Sequence, residues 1–215
     1  ALTQQPGPTM QVASLEDGRI DENMLALSIA QKSVDMTDKL IVPIKFLMSH
    51  DIEKTQENHK RSAETIMEYL RQGHDVAMLN IGDISIYSTC SYILNIIEKN
   101  GFETEVCAGV PSFCAAAARL KKPLVSRKEV LVVAPGYTDE LESLMSVNGT
   151  KVIMKSGKHM NRVKKLVEKY GMSDNTIIVE SCGLENERIH YGIDETENGY
   201  FSLMIIKTSE ENDNV

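Results

Sequence analysis

The stretch Leu79–Cys90, "LNIGDISIYSTC", decides how this chain is read, because it joins the end of an apolar run to the start of a helical pattern. The preceding "DVAML" and the first residues of the stretch form a compact apolar segment bounded by polar residues. Such a segment is expected of a strand buried on both faces of a parallel sheet. Downstream, Tyr92, Ile93, Ile96 and Ile97 recur at helical spacing until "KNGFE" ends the helix at Gly101. The chain therefore breaks as a strand at Gly82 and restarts as a helix near Ser88, where Ser88 or Thr89 can cap the first turn. Peptide groups are then exposed at the carboxyl edge of a sheet, where α/β proteins commonly bind ligands. A Gly-Asp pair alone marks only a turn. In this placement it suits a nucleoside or amino-acid moiety read by backbone hydrogen bonds.

Working outward, the same alternation recurs. Met24, Leu25, Leu27, Ile29 and Ala30 approximate a helical period between Glu22 and Ser33. "KLIVPIKFLM" predicts a short strand in which Pro43 favours an edge position. The charged run from Asp51 leads into "AETIMEYLRQG", a solvated helix with one buried stripe, stopped by Gly73. "TEVCAG" predicts a further short strand, and "VPSFCAAAARL" a loop and an Ala-rich helix that Pro123 closes. A domain boundary is expected there, giving domains 1–122 and 123–215. The second half continues with "EVLVVAP" strand, "TDELESLMSV" helix, "TKVIMK" strand, "NRVKKLVEKYG" helix, "NTIIVES" strand and "YFSLMIIK" as a last strand. This pattern predicts an α/β fold of two α/β domains with mainly parallel or mixed sheets. The first twenty residues show no periodicity and predict no element.

Composition narrows the function classes. With 42% apolar and 25% charged residues the chain is an ordinary globule. A net charge of -8 disfavours nonspecific adhesion to nucleic acid or anionic membrane. No segment approaches the roughly 18 apolar residues of a membrane span, and "ALTQQPGPTM" has the shape of neither signal peptide nor anchor. Cys90, Cys107, Cys114 and Cys182 lack CxxC or zinc spacing and read as reduced thiols, which fits a cytoplasmic protein. The five histidines form no HExxH or i, i+4 pair, so no protein-bound metal is expected. Neither a G-x-G-x-x-G fingerprint nor a P-loop occurs, Ser112 lacks the frame of a hydrolase elbow, and the basic residues between Lys151 and Lys169 read as a solvated helix face.

Four stretches, in this order, resemble the tetrapyrrole methylase family and, within it, the C20 methyltransferases of cobalamin biosynthesis. "IGDISIYSTCSYI" is similar to that subgroup's G-D-P-x-x-Y-S-T-x-x-Y loop, with Ile84 where Pro is usual. "VCAGVPSFCAAAARLKKPL" is similar to its Ser-Phe-Ala-rich segment, with Ala108 in place of Pro. "VIMKSGKHMNRV" resembles the methionine-lysine strand end of the second domain, and "VESCGLENERI" its E-R-x-G-x-x-x-E-x-I segment. The likeness runs from about Met24 to Lys207. Nothing before Gln31 resembles the family's first strand and G-x-G-P-G-D loop, "QQPGPTM" sharing only Pro and Gly. Truncation, local disorder or alteration on the substrate side are therefore all open.

The resemblance implies S-adenosylmethionine as co-substrate, held in a cleft between two α/β domains, and a reduced, carboxylate-rich tetrapyrrole as methyl acceptor at C20. By matching positions it implies that Gly82, Asp83 and Ile84 meet the methionine part through their backbone, with Ser88 and Thr89 beside it. It places Met154, Cys182 and Gly183 along the adenosine. Asp83 would fix the turn rather than act as a base, Tyr87 is a candidate proton relay, and Arg119 and Lys155 are candidate partners of substrate carboxylates. A homodimer is implied, and the apolar surface around Ile93 and Ile97 belongs either to the core or to such an interface. The acceptor is precorrin-2 or cobalt-factor II. The alternatives are a tetrapyrrole methylase of other position specificity and a non-catalytic S-adenosylmethionine-binding relative.

Overall fold

Residues 10–16 (backbone), 25–47, 51–193 and 201–207 are described by the structure, a computed structural model. Two compact units divide the chain, Ala1–Gly109 and Val110–Val215.

The first unit holds a three-stranded sheet of order β2-β1-β3, with β1 (Met10–Glu16) parallel to both β2 (Leu40–Phe46) and β3 (Val76–Met78). β1 was invisible to periodicity. It is defined instead by seven registered pairs with β2, from Met10 with Leu40 to Glu16 with Phe46, and by three with β3. The unpatterned first twenty residues thus carry a strand, while residues 4–9 of "QQPGPTM" lie outside the described residues. β2 is an edge strand, as its proline requires. Pro43 stands opposite Ala13 in the register, and a ring without an N–H is harmless where one side of the strand has no neighbour.

Helix α1 (Leu25–Gln31) buries Leu27. Helix α2 (Ile52–Arg71) starts at Asp51, whose carboxylate accepts the Lys54 N–H at 3.1 Å. Its buried stripe of Ala63, Ile66 and Met67 packs with Ile44 and Phe46 of β2. The stripe includes a polar member: buried Asn58 donates to the Lys45 carbonyl and accepts the Leu47 N–H, each at 3.0 Å, so the helix satisfies the free end of the edge strand. Helix α3 (Thr89–Lys99) completes this core. Ile93 and Ile97 are 0% and 4% exposed, which assigns them to the core of the unit. Gly73 and Gly101, both at φ 85°, follow the ends of α2 and α3 in the left-handed conformation that glycine tolerates.

"TEVCAG" is not a strand: residues 104–109 run without a ladder partner among the described residues, and a segment with five polar or small residues in six has little to hold it in a sheet. The helix that follows, α4 (Ser112–Leu120), belongs to the second unit, so the compact units part at Gly109 and Val110 rather than near Lys122. The reason is packing and charge, since α4 lies against the strand Ser202–Ile206 and its Arg119 pairs with Glu187, both in the second unit.

That unit carries a five-stranded sheet of order β4-β5-β8-β6-β7: β4 (Leu131–Pro135), β5 (Thr150–Met154), β6 (Thr176–Glu180), β7 (Arg188–Tyr191) and β8 (Ser202–Ile206). The sheet is mixed. β4 and β5 are parallel, while β8 runs antiparallel between β5 and β6, and β7 turns back antiparallel on β6. β7 had no sequence expectation, because the four residues of "RIHY" are too few for a period to stand out. Helices α5 (Leu141–Met145) and α6 (Met160–Lys169) contribute Leu141, Met145, Val163 and Val167 to a core shared with Ile153, Ile178, Met204 and Ile206. Burying each such side chain contributes roughly 1.5–3 kcal/mol.

Candidate functional site

In the first unit, β3 ends and the chain enters the loop singled out from sequence. Gly82 takes φ 82°, and Tyr87, 40% exposed, takes φ 51°, unusual for a residue with a side chain. Asp83 organises what lies between. One carboxylate oxygen accepts the Ser85 N–H at 2.9 Å and the Ser85 hydroxyl at 2.5 Å, and the other accepts the Gly109 N–H at 2.8 Å. These hydrogen bonds, the Ser85 hydroxyl first, hold the carboxyl below its ordinary range. A carboxylate so engaged fixes a turn and is a poor base, as its position implied.

The far end of the loop is a helix cap. Ser88 accepts the Cys90 N–H at 3.2 Å and donates to the Asn80 side chain at 2.8 Å, linking the start of α3 to the residues just after β3. Thr89 is the first helical residue. Ile84 turns its side chain toward the core of the unit. Among the described residues neither Gly82 nor Ile84 uses its peptide N–H or carbonyl in a hydrogen bond. Two sites of unsatisfied, partly exposed backbone flanking Asp83 are what a ligand with polar ends can use.

Gly109 was not anticipated. A Cβ built there would collide with the Gly82 carbonyl oxygen, so the 107–109 segment lies directly on the loop and Asp83 locks it there. The signal available in sequence was only the Gly of "VCAGVPS".

In the second unit the register places Pro135, Met154, Glu180 and Arg188 along one edge of the sheet. At the β4–β5 end of that edge, the Met154 carbonyl accepts the Gly136 N–H at 2.8 Å, and Lys155 follows at φ 50°. Ser156 is fully buried, its hydroxyl has no hydrogen-bond partner among the described residues, and a Cβ on Gly136 would lie 2.7 Å from it. At the β6 end, Ser181 (φ 48°), Cys182 and Gly183 (φ 80°) form a turn. Glu187 accepts the Gly183 N–H at 2.8 Å on one oxygen and the Arg119 Nε–H at 2.6 Å on the other. Those bonds, the Gly183 N–H first, hold its carboxyl low, whereas burial and then the Glu187 charge push the Cys182 thiol up.

The second unit thus brings Arg119, Cys182 and Gly183 together through Glu187, and places Met154 and Lys155 on the same sheet edge but at another strand. Glu187 was quoted in the sequence motif without being given a role. Among the described residues all four cysteines are free, and no helix is long and apolar enough to cross a membrane.

The Tetrapyrrole (Corrin/Porphyrin) Methylases are matched over residues 15–193, most of the chain and both units. The chain belongs to the tetrapyrrole methylase family. This methylase is 33% identical over 190 residues to a probable cobalt-precorrin-2 C(20)-methyltransferase of Methanocaldococcus jannaschii, covering 85% of this chain and 78% of the relative. It is 26% identical over 200 residues to the cobalt-precorrin-2 C(20)-methyltransferase of Salmonella typhimurium, covering 90% and 84%. A solved uroporphyrin-III C-methyltransferase from Thermus thermophilus, complexed with S-adenosylhomocysteine, superposes with a TM-score of 0.58 at 18% identity, covering 94% of this chain and 98% of that one, and so shares the fold.

Proposed function

We propose that this tetrapyrrole methylase transfers a methyl group from S-adenosylmethionine to C20 of precorrin-2 or its cobalt-containing counterpart in cobalamin biosynthesis. The observation that carries the reading is the likeness to C20 methyltransferases over 85% of the chain, in which the loop from Gly82 to Thr89 retains unsatisfied peptide groups.

In this reading the backbone of Gly82, Asp83 and Ile84 holds the methionine end of the co-substrate, Ser88 and Thr89 lie beside it, and Met154, Cys182 and Gly183 border the adenosine. When bound, S-adenosylmethionine supplies an electrophilic methyl group, which the enamine-like C20 carbon displaces from sulfur in line. No covalent help from the protein is needed, and the chain's task is to orient the reactants and exclude water. Lys155 and Arg119 meet acceptor carboxylates, Arg119 being steadied by Glu187 through Nε. Tyr87, exposed at the apex of its loop, is the candidate relay for the proton that C20 sheds. In this reading the enzyme works in the cytoplasm as a homodimer, and light scattering, which reports mass in solution, would check the dimer.

Anaerobic assay with both tetrapyrroles tests the proposal, the position of the new methyl being read by mass and NMR. Methylation at C20 is the expected result. A methyl at another carbon would favour a different position specificity, and no turnover with either acceptor would leave only a non-catalytic binding role.

A further inference from the structure

The turn after β6 is an arrangement that its own residues do little to stabilise. Ser181 and Gly183 both take left-handed backbone angles on either side of Cys182, and a serine there carries a steric cost that glycine does not. Such a conformation persists only where surrounding contacts over-determine it. Three of those contacts are backbone bonds: Ser181 N–H to the Phe201 carbonyl at 2.9 Å, Leu184 N–H to Ser181 at 2.9 Å and Glu187 N–H to Leu184 at 3.1 Å. The fourth is the Glu187 side chain, only 14% exposed, which takes the Gly183 N–H and, on its other oxygen, the guanidinium of Arg119 from helix α4. Arg119 and Glu187 are 68 positions apart in the chain, so this carboxylate is what joins the turn to a separate helix.

We propose that Glu187 is a positioning residue for co-substrate recognition: it fixes the Cys182–Gly183 peptide in the orientation that meets the adenosine and aims Arg119 from the same point. The inference rests on the reading that this turn borders S-adenosylmethionine. Glu187 itself touches neither reactant. Its two oxygens serve different functions, one setting the peptide plane of Gly183 and the other setting the direction of an otherwise 58% exposed guanidinium. A charged, acceptor-only group can satisfy both donors at once, and a glutamine can satisfy one with its carbonyl while presenting an amide to the other.

The full chain is titrated with S-adenosylhomocysteine by calorimetry and assayed for methyl transfer, as wild type, Glu187→Ala, Glu187→Gln and Arg119→Gln, with thermal melting of each. Glu187→Ala is expected to raise the Kd and the KM for S-adenosylmethionine about 10-fold with kcat within about 3-fold, the pattern of misplaced binding groups. Glu187→Gln, which can still accept from Gly183, recovers most of the affinity. Arg119→Gln leaves the Kd within about 3-fold and raises the KM of the tetrapyrrole instead. A Kd unchanged in Glu187→Ala overturns the proposal, as does a loss of kcat and melting temperature with KM unmoved. Wild type that fails to bind S-adenosylhomocysteine would overturn the functional reading itself, whereas wild type that binds while the Glu187 variants match it would overturn this inference alone.

Discussion

Each unit holds a loop beyond a strand's carboxyl end with one carboxylate, and the two do it by different chemistry. Asp83 binds only neutral donors, two from Ser85 and one from the Gly109 backbone. Glu187 binds a peptide N–H and a guanidinium. The first clamp is made almost within its own loop, with one tie to a segment 26 positions away, whereas the second reaches a distant helix through an ion pair. The first clamp leaves the Asp83 charge without a counter-ion among its donors, whereas the second pairs the Glu187 charge with a guanidinium.

The severest test of that contrast is to remove the first clamp. Asp83→Ala frees three donors and is expected to lower kcat/KM on the order of 100-fold, since displacement of a binding loop by about 1 Å can cost that much; steady-state kinetics would check it, and a variant within 3-fold of wild type would break the comparison. Gly109→Ala attacks the same contact from the other side. Its methyl group has to push the Gly82 carbonyl away, and a loss of about 10-fold in S-adenosylhomocysteine affinity is expected by calorimetry.

A milder probe is pH. Both carboxyls are held below their ordinary values, so each clamp contributes fully above the unfolded carboxyl range and is lost as pH falls through the lower folded value. Cofactor affinity is therefore expected to be flat through neutrality and to weaken only below about pH 4. The Asp83→Asn protein should lose part of that acid limb, which calorimetry across a pH series would show.

Two smaller effects separate the sheet edges themselves. Ser156 carries a buried hydroxyl without a partner, so Ser156→Ala is expected to raise stability by about 1 kcal/mol, measured by denaturant melting, because an unsatisfied buried group costs more than its removal. Ile84→Pro restores the residue usual in the family. Among the described residues the Ile84 N–H makes no hydrogen bond, so affinity should stay within about 3-fold if ligand recognition uses the loop's carbonyls, and fall further if it uses this N–H.

The alternation of strands and helices was legible because buried stripes such as Ile66 and Met67, or Ile93 and Ile97, repeat at helical spacing whatever they pack against. The loop from Gly82 to Thr89 was legible because its turn chemistry is local. β1 and β7 were not, since "MQVASLE" and "RIHY" owe their strand character to the neighbours that pair with them. "TEVCAG" misled in the opposite direction: two β-branched residues suggested a strand that no partner completes. Gly109 and Glu187 escaped for a related reason. Their importance lies in contacts with residues 26 and 68 positions away, and spacing along a chain carries no trace of such contacts.

The 2-1-3 order of the small sheet has a consequence for how the protein can be shortened. Among the described residues β2 and β3 each find their ladder partner in β1 and never in one another. Trimming the chain as far as Glu16 would therefore remove more than one strand's worth of structure. It would strip both survivors of their ladder hydrogen bonds at once, and the loop that leaves β3 would lose the platform it starts from. Seven residues without a helical or strand period act as the keystone of the first unit.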